Sequence, residues 1–172
     1  MNIVAVSQAN GEWFNALLEL TQAYVDEMVA GIQQHLPNMD LESFIHLHGY
    51  HDLRQKYVDP GGNRIGFSWL VLDPEPQACI SLAALEPGIA EVRALFVHPD
   101  GRNKGFARQL VGHALQEAEA KGFAVTRLDT LFFMQPAIRL YESFGFVPVP
   151  AYLPVAAEWA SSIRFFERRI NH

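Results

Sequence analysis

The strongest constraint on the fold lies between residues 91 and 122, where a strand-like run passes through a short loop into a long helix. The run EVRALFV is apolar and rich in residues that favour strands, and the small, basic loop HPDGRN follows it directly. Apolar side chains then recur at three- and four-residue steps from Lys104 to Lys121, and Gly122 ends the helix. This stripe consists of Phe106, Leu110, Val111, Ala114, Leu115 and Ala118. The segment predicts an α/β domain with a crossover between strands.

The rest of the chain extends this pattern. An alternating run, NIVAVSQ, predicts a first strand, and periodicity predicts a helix from Gly11 to about Leu36. It also predicts a second helix that begins near Asp40, carries apolar residues as far as Leu53 and ends before the turn DPGGN. Two strands precede EVRALFV, and the strand FAVTRLDT, a helix from Gln135 to Phe144 and two further strands follow the central helix. The predicted order, βααβββαβαββ, gives an α/β fold with a mixed central sheet in a single domain, residues 1–172.

Composition excludes several classes of protein. The formal net charge of −6 weighs against a nucleic-acid partner, because such binding depends on basic residues that neutralise phosphates. We find no apolar run of about 18 residues and no basic, apolar leader, so we expect no membrane partner and a cytoplasmic protein. The single cysteine, Cys79, lies in an apolar strand and is predicted to be a core residue.

The loop before the central helix has the features of an anion site. Unpaired backbone N–H groups converge at a helix N-terminus, and Arg102, Lys104 and Arg108 add positive charge. A Walker A loop requires a lysine and a hydroxyl after its last glycine, and Phe106 and Ala107 stand there instead. The GxGxxG pattern of dinucleotide-binding folds is absent as well. The loop therefore predicts a phosphate or pyrophosphate site, and a solvated basic surface loop is the alternative.

Two motifs carry a resemblance to a known family. The stretch RNKGFA (residues 102–107) fits the pattern R/Q-x-x-G-x-G/A at the start of a helix, and LYESFGF (residues 140–146) resembles LYEKLGF. Both motifs, in this order, are similar to those of the GCN5-related N-acetyltransferase (GNAT) family. The resemblance is strong from Glu91 to Phe146 and covers nearly the whole chain. It implies a GNAT-like fold whose fourth and fifth strands splay apart.

The resemblance also implies an acetyl-CoA site. The pyrophosphate would lie on the backbone amides of the loop, and pantetheine would run along the fourth strand as an additional strand. The implied cofactor-binding residues are Leu95, Phe96, Val97, Arg102, Asn103, Lys104, Gly105, Phe106, Ala107 and Gln135. Gln135 stands where many members have an asparagine that contacts pantetheine. Phe96 and Val97 are the nearest candidates to stabilise the tetrahedral oxyanion.

Two residues are candidate catalytic groups. Tyr141 stands where the family has its general-acid tyrosine, and the alternative is a tyrosine that packs in the core. Glu91 lies in the fourth strand on the same face as Arg93 and could remove the proton of the amine directly or through water. Arg93 occupies the position where some members have a carboxylate. For Glu91 the alternative is a solvated strand end.

The acceptor is expected to be a small-molecule or peptide primary amine. The first two helices and the loop before the last strand would frame its pocket, where Tyr50, His48, Tyr152 and Trp159 either line the site or pack in the core. The histidines of HLHGYH lack the spacing of a metal site, so we predict no metal. A non-catalytic coenzyme A or acyl-CoA binding module, and an acyltransferase that uses a longer acyl chain, remain alternatives. A homodimer also stays open.

Overall fold

The computed structural model describes residues 2–9, 11–62 and 65–170 of the chain. Within these ranges it contains five α-helices and seven β-strands. The helices are α1 (Glu12–His35), α2 (Leu41–Leu47), α3 (Leu53–Tyr57), α4 (Phe106–Ala120) and α5 (Gln135–Ser143). The strands are β1 (Asn2–Ala5), β2 (Phe67–Leu72), β3 (Pro76–Glu86), β4 (Ile89–Val97), β5 (Val125–Leu131), β6 (Val147–Val149) and β7 (Ile163–Arg169).

All seven strands form one mixed sheet in the order β1-β2-β3-β4-β5-β7-β6. The β4–β5 pair is parallel, and every other neighbouring pair is antiparallel. A parallel pair requires a crossover connection, and α4 supplies it between β4 and β5. The predicted α/β fold with a mixed central sheet is therefore confirmed.

The helices cover both faces of the sheet because alternate strand residues point to opposite sides. Ala78, Ile80 and Leu82 of β3 belong to a core cluster that contains the apolar faces of α4 and α5. Cys79 points the other way and packs in a cluster with α1. Its thiol is buried, and burial raises its pKa to about 12, which agrees with a core residue rather than a nucleophile.

The predicted second helix is wrong in its extent, because the structure divides it into α2 and α3. Asp40 caps α2 as expected, since its side chain accepts a hydrogen bond from the Ser43 backbone N–H. The chain then turns at Gly49, whose φ of +67° a helix cannot contain. Asp52 caps the new helix α3 by accepting a hydrogen bond from the Gln55 N–H. The element order consequently gains one short helix.

A bulge interrupts β4 next to the centre of the sheet. Ser81 of β3 pairs with Arg93, and Cys79 pairs with Phe96, so three steps along β4 oppose two along β3. The extra residue changes the alternation, and Phe96 joins the α1 side of the sheet. Ala94, in the bulge, has a φ of +49°, a left-handed conformation that is unfavourable for a residue with a side chain. The Cys79 Sγ lies 3.4 Å from the Ala94 carbonyl oxygen, to which the thiol donates.

Beyond the first three residues of their pairing, β4 and β5 separate. Pairing joins Ile89–Glu91 to Val125–Arg127, although β4 continues to Val97 and β5 to Leu131. The predicted splay of the fourth and fifth strands is thus confirmed. The edge of β4 that faces β5 is left open from the bulge onward, and two cavities lie at this opening.

The left-handed conformation of Ala94 leads to an unusual prediction for a strand residue. Ala94→Gly should leave the free energy of unfolding unchanged or raise it by up to about 1 kcal/mol, because glycine adopts this conformation without steric cost. Ala94→Val should lower it by about 1 to 3 kcal/mol, because a β-branched residue is strained there. Urea unfolding measures both values.

Ala84 is the matched control, because it is exposed on β3 and has an ordinary φ. At Ala84 the usual strand preference should hold. Ala84→Gly should lower the free energy of unfolding, and Ala84→Val should leave it unchanged or raise it. The same order of stability at Ala84 and Ala94 would contradict a strained bulge.

Candidate functional site

The first cavity, of about 800 Å³, lies between α1, the open end of β4 and the N-terminus of α4. It is lined by most of the predicted cofactor-binding residues: Leu95, Phe96, Val97, Arg102, Asn103, Gly105, Phe106 and Ala107. Gly31 and Met28 of α1 and Pro136 and Ala137 of α5 are among the residues that complete its walls. The cavity is therefore basic and rich in backbone amides at one end and apolar along its sides.

The loop before α4 has a conformation that directs its backbone toward this cavity. Asn103 and Gly105 have φ values of +62° and +82°, and Gly105 is the N-cap of α4. A Cβ at Gly105 would have only Gln109 Nε2 within 4 Å, at 3.9 Å, so open space adjoins this glycine. The N–H groups of the first turn of α4 have no partner within the helix. Together with the dipole of α4, they form a surface suited to an anion.

Arg102 links this loop to the opposite wall of the cavity. Its guanidinium forms an ion pair with Glu27 of α1, and its Nε donates to the Val97 carbonyl oxygen at 3.3 Å. An anion that enters here would compete with Glu27 for Arg102. The Val97 carbonyl oxygen has a second lone pair, so a ligand that pairs with it would share this oxygen with Arg102.

Two predicted cofactor-binding residues lie outside the cavity. The Lys104 Nζ is 3.5 Å from Asp73 Oδ2. The Gln135 side chain folds back, and its Nε2 donates to the Phe132 carbonyl oxygen at 2.6 Å. Met134 and Pro136, the neighbours of Gln135, line the cavity instead.

The second cavity, of about 470 Å³, lies on the other side of the split and shares Tyr24, Leu95, Met134 and Ala137 with the first. Glu91 and Tyr141 line it, together with three of the residues that the sequence offered as acceptor contacts, His48, Tyr50 and Trp159. The two candidate catalytic residues are thus brought together in a cavity that adjoins the candidate cofactor groove.

Tyr141 is 7% exposed and packs its ring edge-on against Phe146, with the centroids 5.7 Å apart. Its hydroxyl makes no hydrogen bond to any residue in the described ranges, and the residue lines the second cavity. Burial raises the pKa of Tyr141 above its ordinary value, and the negative charge of Asp129 adds to this. The phenol consequently keeps its proton and can donate it.

Glu91 is 3% exposed, so the alternative of a solvated strand end does not hold. One of its oxygens forms an ion pair with Arg93, and the other accepts a hydrogen bond from the Tyr152 hydroxyl at 3.3 Å. Both carboxylate oxygens therefore have donors already. A proton that moved directly from the amine to Glu91 would therefore have to compete with one of these two donors.

The comparisons with known proteins agree with this geometry. The family model described as the acetyltransferase (GNAT) family matches residues 17–146, which is more than half of the chain. The chain belongs to the GNAT family. The predicted resemblance is therefore confirmed.

Relatives that match in sequence support this membership. An uncharacterised N-acetyltransferase of Bacillus subtilis, YsnE, is 32% identical over 126 residues, which cover 70% of this chain and 78% of the relative. An uncharacterised N-acetyltransferase of Schizosaccharomyces pombe is 39% identical over 66 residues, or 38% of this chain, and the chain spans only 40% of that relative's length.

The solved structures that resemble this GNAT protein include an acetyltransferase from Streptococcus agalactiae. Its TM-score is 0.65 at 16% identity, over 98% of both chains. A Bacillus subtilis acetyltransferase in complex with CoA has a TM-score of 0.53 at 17% identity, over 62% of this chain and 78% of that one. At these identities the likeness establishes the fold.

Among the described helices of this GNAT chain, none combines the length and hydropathy that a membrane crossing requires.

The sequence interpretation missed two charged residues of the second cavity, Lys56 and Asp129. The sequence does contain a signal for Asp129, because aspartate is uncommon inside a strand such as VTRLDTL and can indicate a functional role there. The sequence contains no such signal for Lys56, because the sequence interpretation did not separate the short helix α3 from α2.

The environment of Lys56 leads to a prediction about its reactivity. Burial lowers the pKa of Lys56 from its ordinary 10.5 to about 8, with Arg93 lowering it further and Glu91 and Asp129 opposing. At pH 8 about half of Lys56 should be neutral, compared with about 0.3% of a fully solvated lysine. Competitive labelling with acetic anhydride, followed by mass spectrometry across pH 6 to 11, should give a midpoint near 8 for Lys56.

Lys121, on the surface beyond α4, serves as the internal reference. Steric protection lowers the rate at Lys56 without moving its midpoint, so the two effects are separable. A midpoint of 10 or above would contradict the buried environment of this ammonium group.

Proposed function

We propose that this chain, as a single domain, transfers an acetyl group from acetyl-CoA to a primary amine by direct attack on the thioester. The observation that carries the proposal is the junction of two cavities at the β4–β5 split: one ends in the basic loop of residues 102–107, and the other contains Tyr141. Such a junction lets a cosubstrate and an acceptor meet at the open edge of β4. The relatives and the CoA complex of a structural neighbour support the choice of reaction.

The loop would bind the pyrophosphate. The backbone N–H groups around Gly105 would donate hydrogen bonds to the phosphates. Arg102 could exchange its carboxylate partner Glu27 for a phosphate. The open edge of β4 would pair with pantetheine, and the apolar walls from α1 and α5 would cover it. Lys104 and Gln135 would need new side-chain conformations to take part.

In the reaction the amine nitrogen bonds to the thioester carbonyl carbon, the C–S bond breaks, and the thiolate takes a proton. A backbone N–H of the bulged strand near Phe96 or Val97 would stabilise the oxyanion. Tyr141 would supply the proton. Burial raises the pKa of this phenol, so Tyr141 stays protonated until the thiolate forms beside it.

Glu91 remains the proposed base, although its contacts with Arg93 and Tyr152 favour a role through an intervening water. An alkylammonium with a pKa of about 10 is less than about 0.1% neutral at pH 7. Some group must therefore accept its proton before attack.

A thermal-shift screen tests cosubstrate binding. Coenzyme A and acetyl-CoA at one hundred times their dissociation constants should each raise stability by about 2.7 kcal/mol, whereas NAD and ATP should have little effect. Longer acyl-CoAs in the same screen test the chain-length alternative. A shift with ATP and none with coenzyme A would contradict the proposal. Tight binding without thiol release across a broad amine panel would favour the non-catalytic binding module.

Substitution of Gly105 tests the pyrophosphate site. Gly105→Glu places a carboxylate next to the proposed phosphate position, and Gly105→Gln adds the same volume and the same backbone strain without the charge. Affinity for coenzyme A, measured by titration calorimetry, should fall for both variants and at least tenfold further for the glutamate, because like charges repel there. Equal affinities of the two variants would place the phosphates elsewhere.

Substitution of Tyr141 tests the general acid. Tyr141→Phe keeps the ring and its contact with Phe146 and removes only the hydroxyl, so binding of acetyl-CoA should change little. The kcat should fall by about 10²- to 10⁴-fold under conditions where chemistry limits the rate. The loss should shrink with a thioester whose thiol is more acidic. Full kcat in this variant would assign Tyr141 to core packing.

A further inference from the structure

Lys56 brings a positive charge to the second cavity without a carboxylate partner. Its Nζ donates to the His48 carbonyl oxygen and lies 4.4 Å from the centre of the Tyr50 ring. No carboxylate in residues 2–9, 11–62 or 65–170 lies within 4 Å of it. A lysine ammonium has three donors, so two make no hydrogen bond to a described residue, and Lys56 lines the cavity. Such a group at a cavity wall is a ready partner for an anion.

Asp129 brings a negative charge to the same cavity, also without a partner. It lies on β5, opposite Phe165 of β7, in the part of the strand that no longer pairs with β4. Its carboxylate makes no hydrogen bond or ion pair with a described residue, and it lines the cavity together with Tyr141. Burial, and then the charge of Glu91, raise its pKa, while His48, Arg93 and Lys56 oppose this. Asp129 can therefore accept a proton more readily than a solvated aspartate.

The other two charged side chains of the cavity neutralise each other. Arg93 forms an ion pair with Glu91, and Tyr152 donates to the remaining oxygen of that carboxylate. What remains is one cation and one anion, more than 4 Å apart, at the wall of a single cavity of about 470 Å³. A ligand that bears both charges would complement both groups.

We propose that the acceptor is an amine that also carries a carboxylate, with its carboxylate on Lys56 and its ammonium group on Asp129. The proposal rests on the acetyl transfer proposed above and specifies its acceptor. Asp129 contacts the ammonium directly and takes its first proton, so the role of Glu91 as a base is limited to the second proton of the nitrogen. The neutral nitrogen bonds to the thioester carbon, and the C–S bond breaks. The nitrogen loses a second proton while the thiolate receives one from Tyr141, which is then reprotonated. One proton is released to solvent for each amide formed.

The walls of the cavity set the choice of probes. Tyr24, Tyr50, Tyr57 and Trp159 line it, so an aromatic side chain is a suitable apolar part for the acceptor. Phenylalanine, phenylalaninamide and phenethylamine share this side chain and differ in the carboxylate. Alanine, alaninamide and ethylamine form a second set of the same design.

The first experiment measures thiol release from acetyl-CoA with each probe and compares kcat/KM per neutral amine, since the amine pKa differs within each set. The amino acid should exceed its amide and its decarboxylated amine by about 10- to 100-fold in at least one set, the range expected for a charge-assisted contact. 3-Phenylpropionate, which has the carboxylate alone, should compete with phenylalanine. Equal or faster turnover of the decarboxylated amines would overturn the inference and leave the acetyl transfer intact.

The second experiment uses variants. Lys56→Met should raise KM for the amino acid about 10- to 100-fold and change kcat/KM for the decarboxylated amine less than about threefold. Lys56→Arg should restore most of the preference, and Lys121→Met, outside both cavities, should behave as the unmodified chain. Asp129→Asn should lower kcat/KM for amino acid and amine alike. A loss in Lys56→Met that is equal for both substrates, or unchanged rates in Asp129→Asn, would overturn the assignment of that residue.

A binding measurement separates this inference from the proposed function. With coenzyme A present, phenylalanine or alanine should raise the melting temperature, the matching amide should not, and Lys56→Met should abolish the effect. If this pattern appears without thiol release, the acceptor site stands and the catalytic proposal fails. If neither amino acid causes a shift or releases thiol, the amino-carboxylate inference fails, whatever the affinity for coenzyme A.

Discussion

The separation of β4 from β5 is the constraint on which the rest of this structure depends. An open strand edge inside a domain leaves N–H and C=O groups without partners, which is costly unless something else covers them. Here the strands pair over three residues and then separate, and the bulge at Ala94 turns β4 away. The helices α1 and α5 form walls around the opening. The fold therefore keeps part of the edge of β4 unpaired with β5, at the wall of a cavity.

The two cavities at this opening differ in their electrostatics. The first has backbone amides and Arg102 at one end, and Glu27 already holds that arginine, so an incoming anion exchanges one partner for another. In the second, Glu91 contacts both Arg93 and Tyr152. The charged side chains of Lys56 and Asp129 take no part in these contacts. A phosphate ligand fits the first arrangement, whereas a ligand with charges of both signs fits the second.

The sequence was most informative where local rules decide the structure. The glycines after α4 and α5 lie in the left-handed conformation that ends a helix, and all residues of the loop 102–107 except Lys104 line the first cavity. It was least informative about irregular backbone and about the conformations of single side chains. An alanine carries no signal of a positive φ, and no local rule predicts that Gln135 bonds to Phe132. The split between α2 and α3 hid Lys56, because this residue lies in a short helix that the sequence interpretation merged with α2.

Charges without partners are the most informative feature of the second cavity, because folding alone gives no reason to keep them. A buried ammonium or carboxylate that lacks a counterion lowers stability, and the shifts in the pKa values of Lys56 and Asp129 reflect that cost. An ion pair between Lys56 and Asp129 would remove most of this loss of stability. Their positions on α3 and β5 keep them more than 4 Å apart, on either side of open space. A ligand that bridges the gap would supply the counterion that each lacks, so the same burial that destabilises the free protein would strengthen binding of the acceptor.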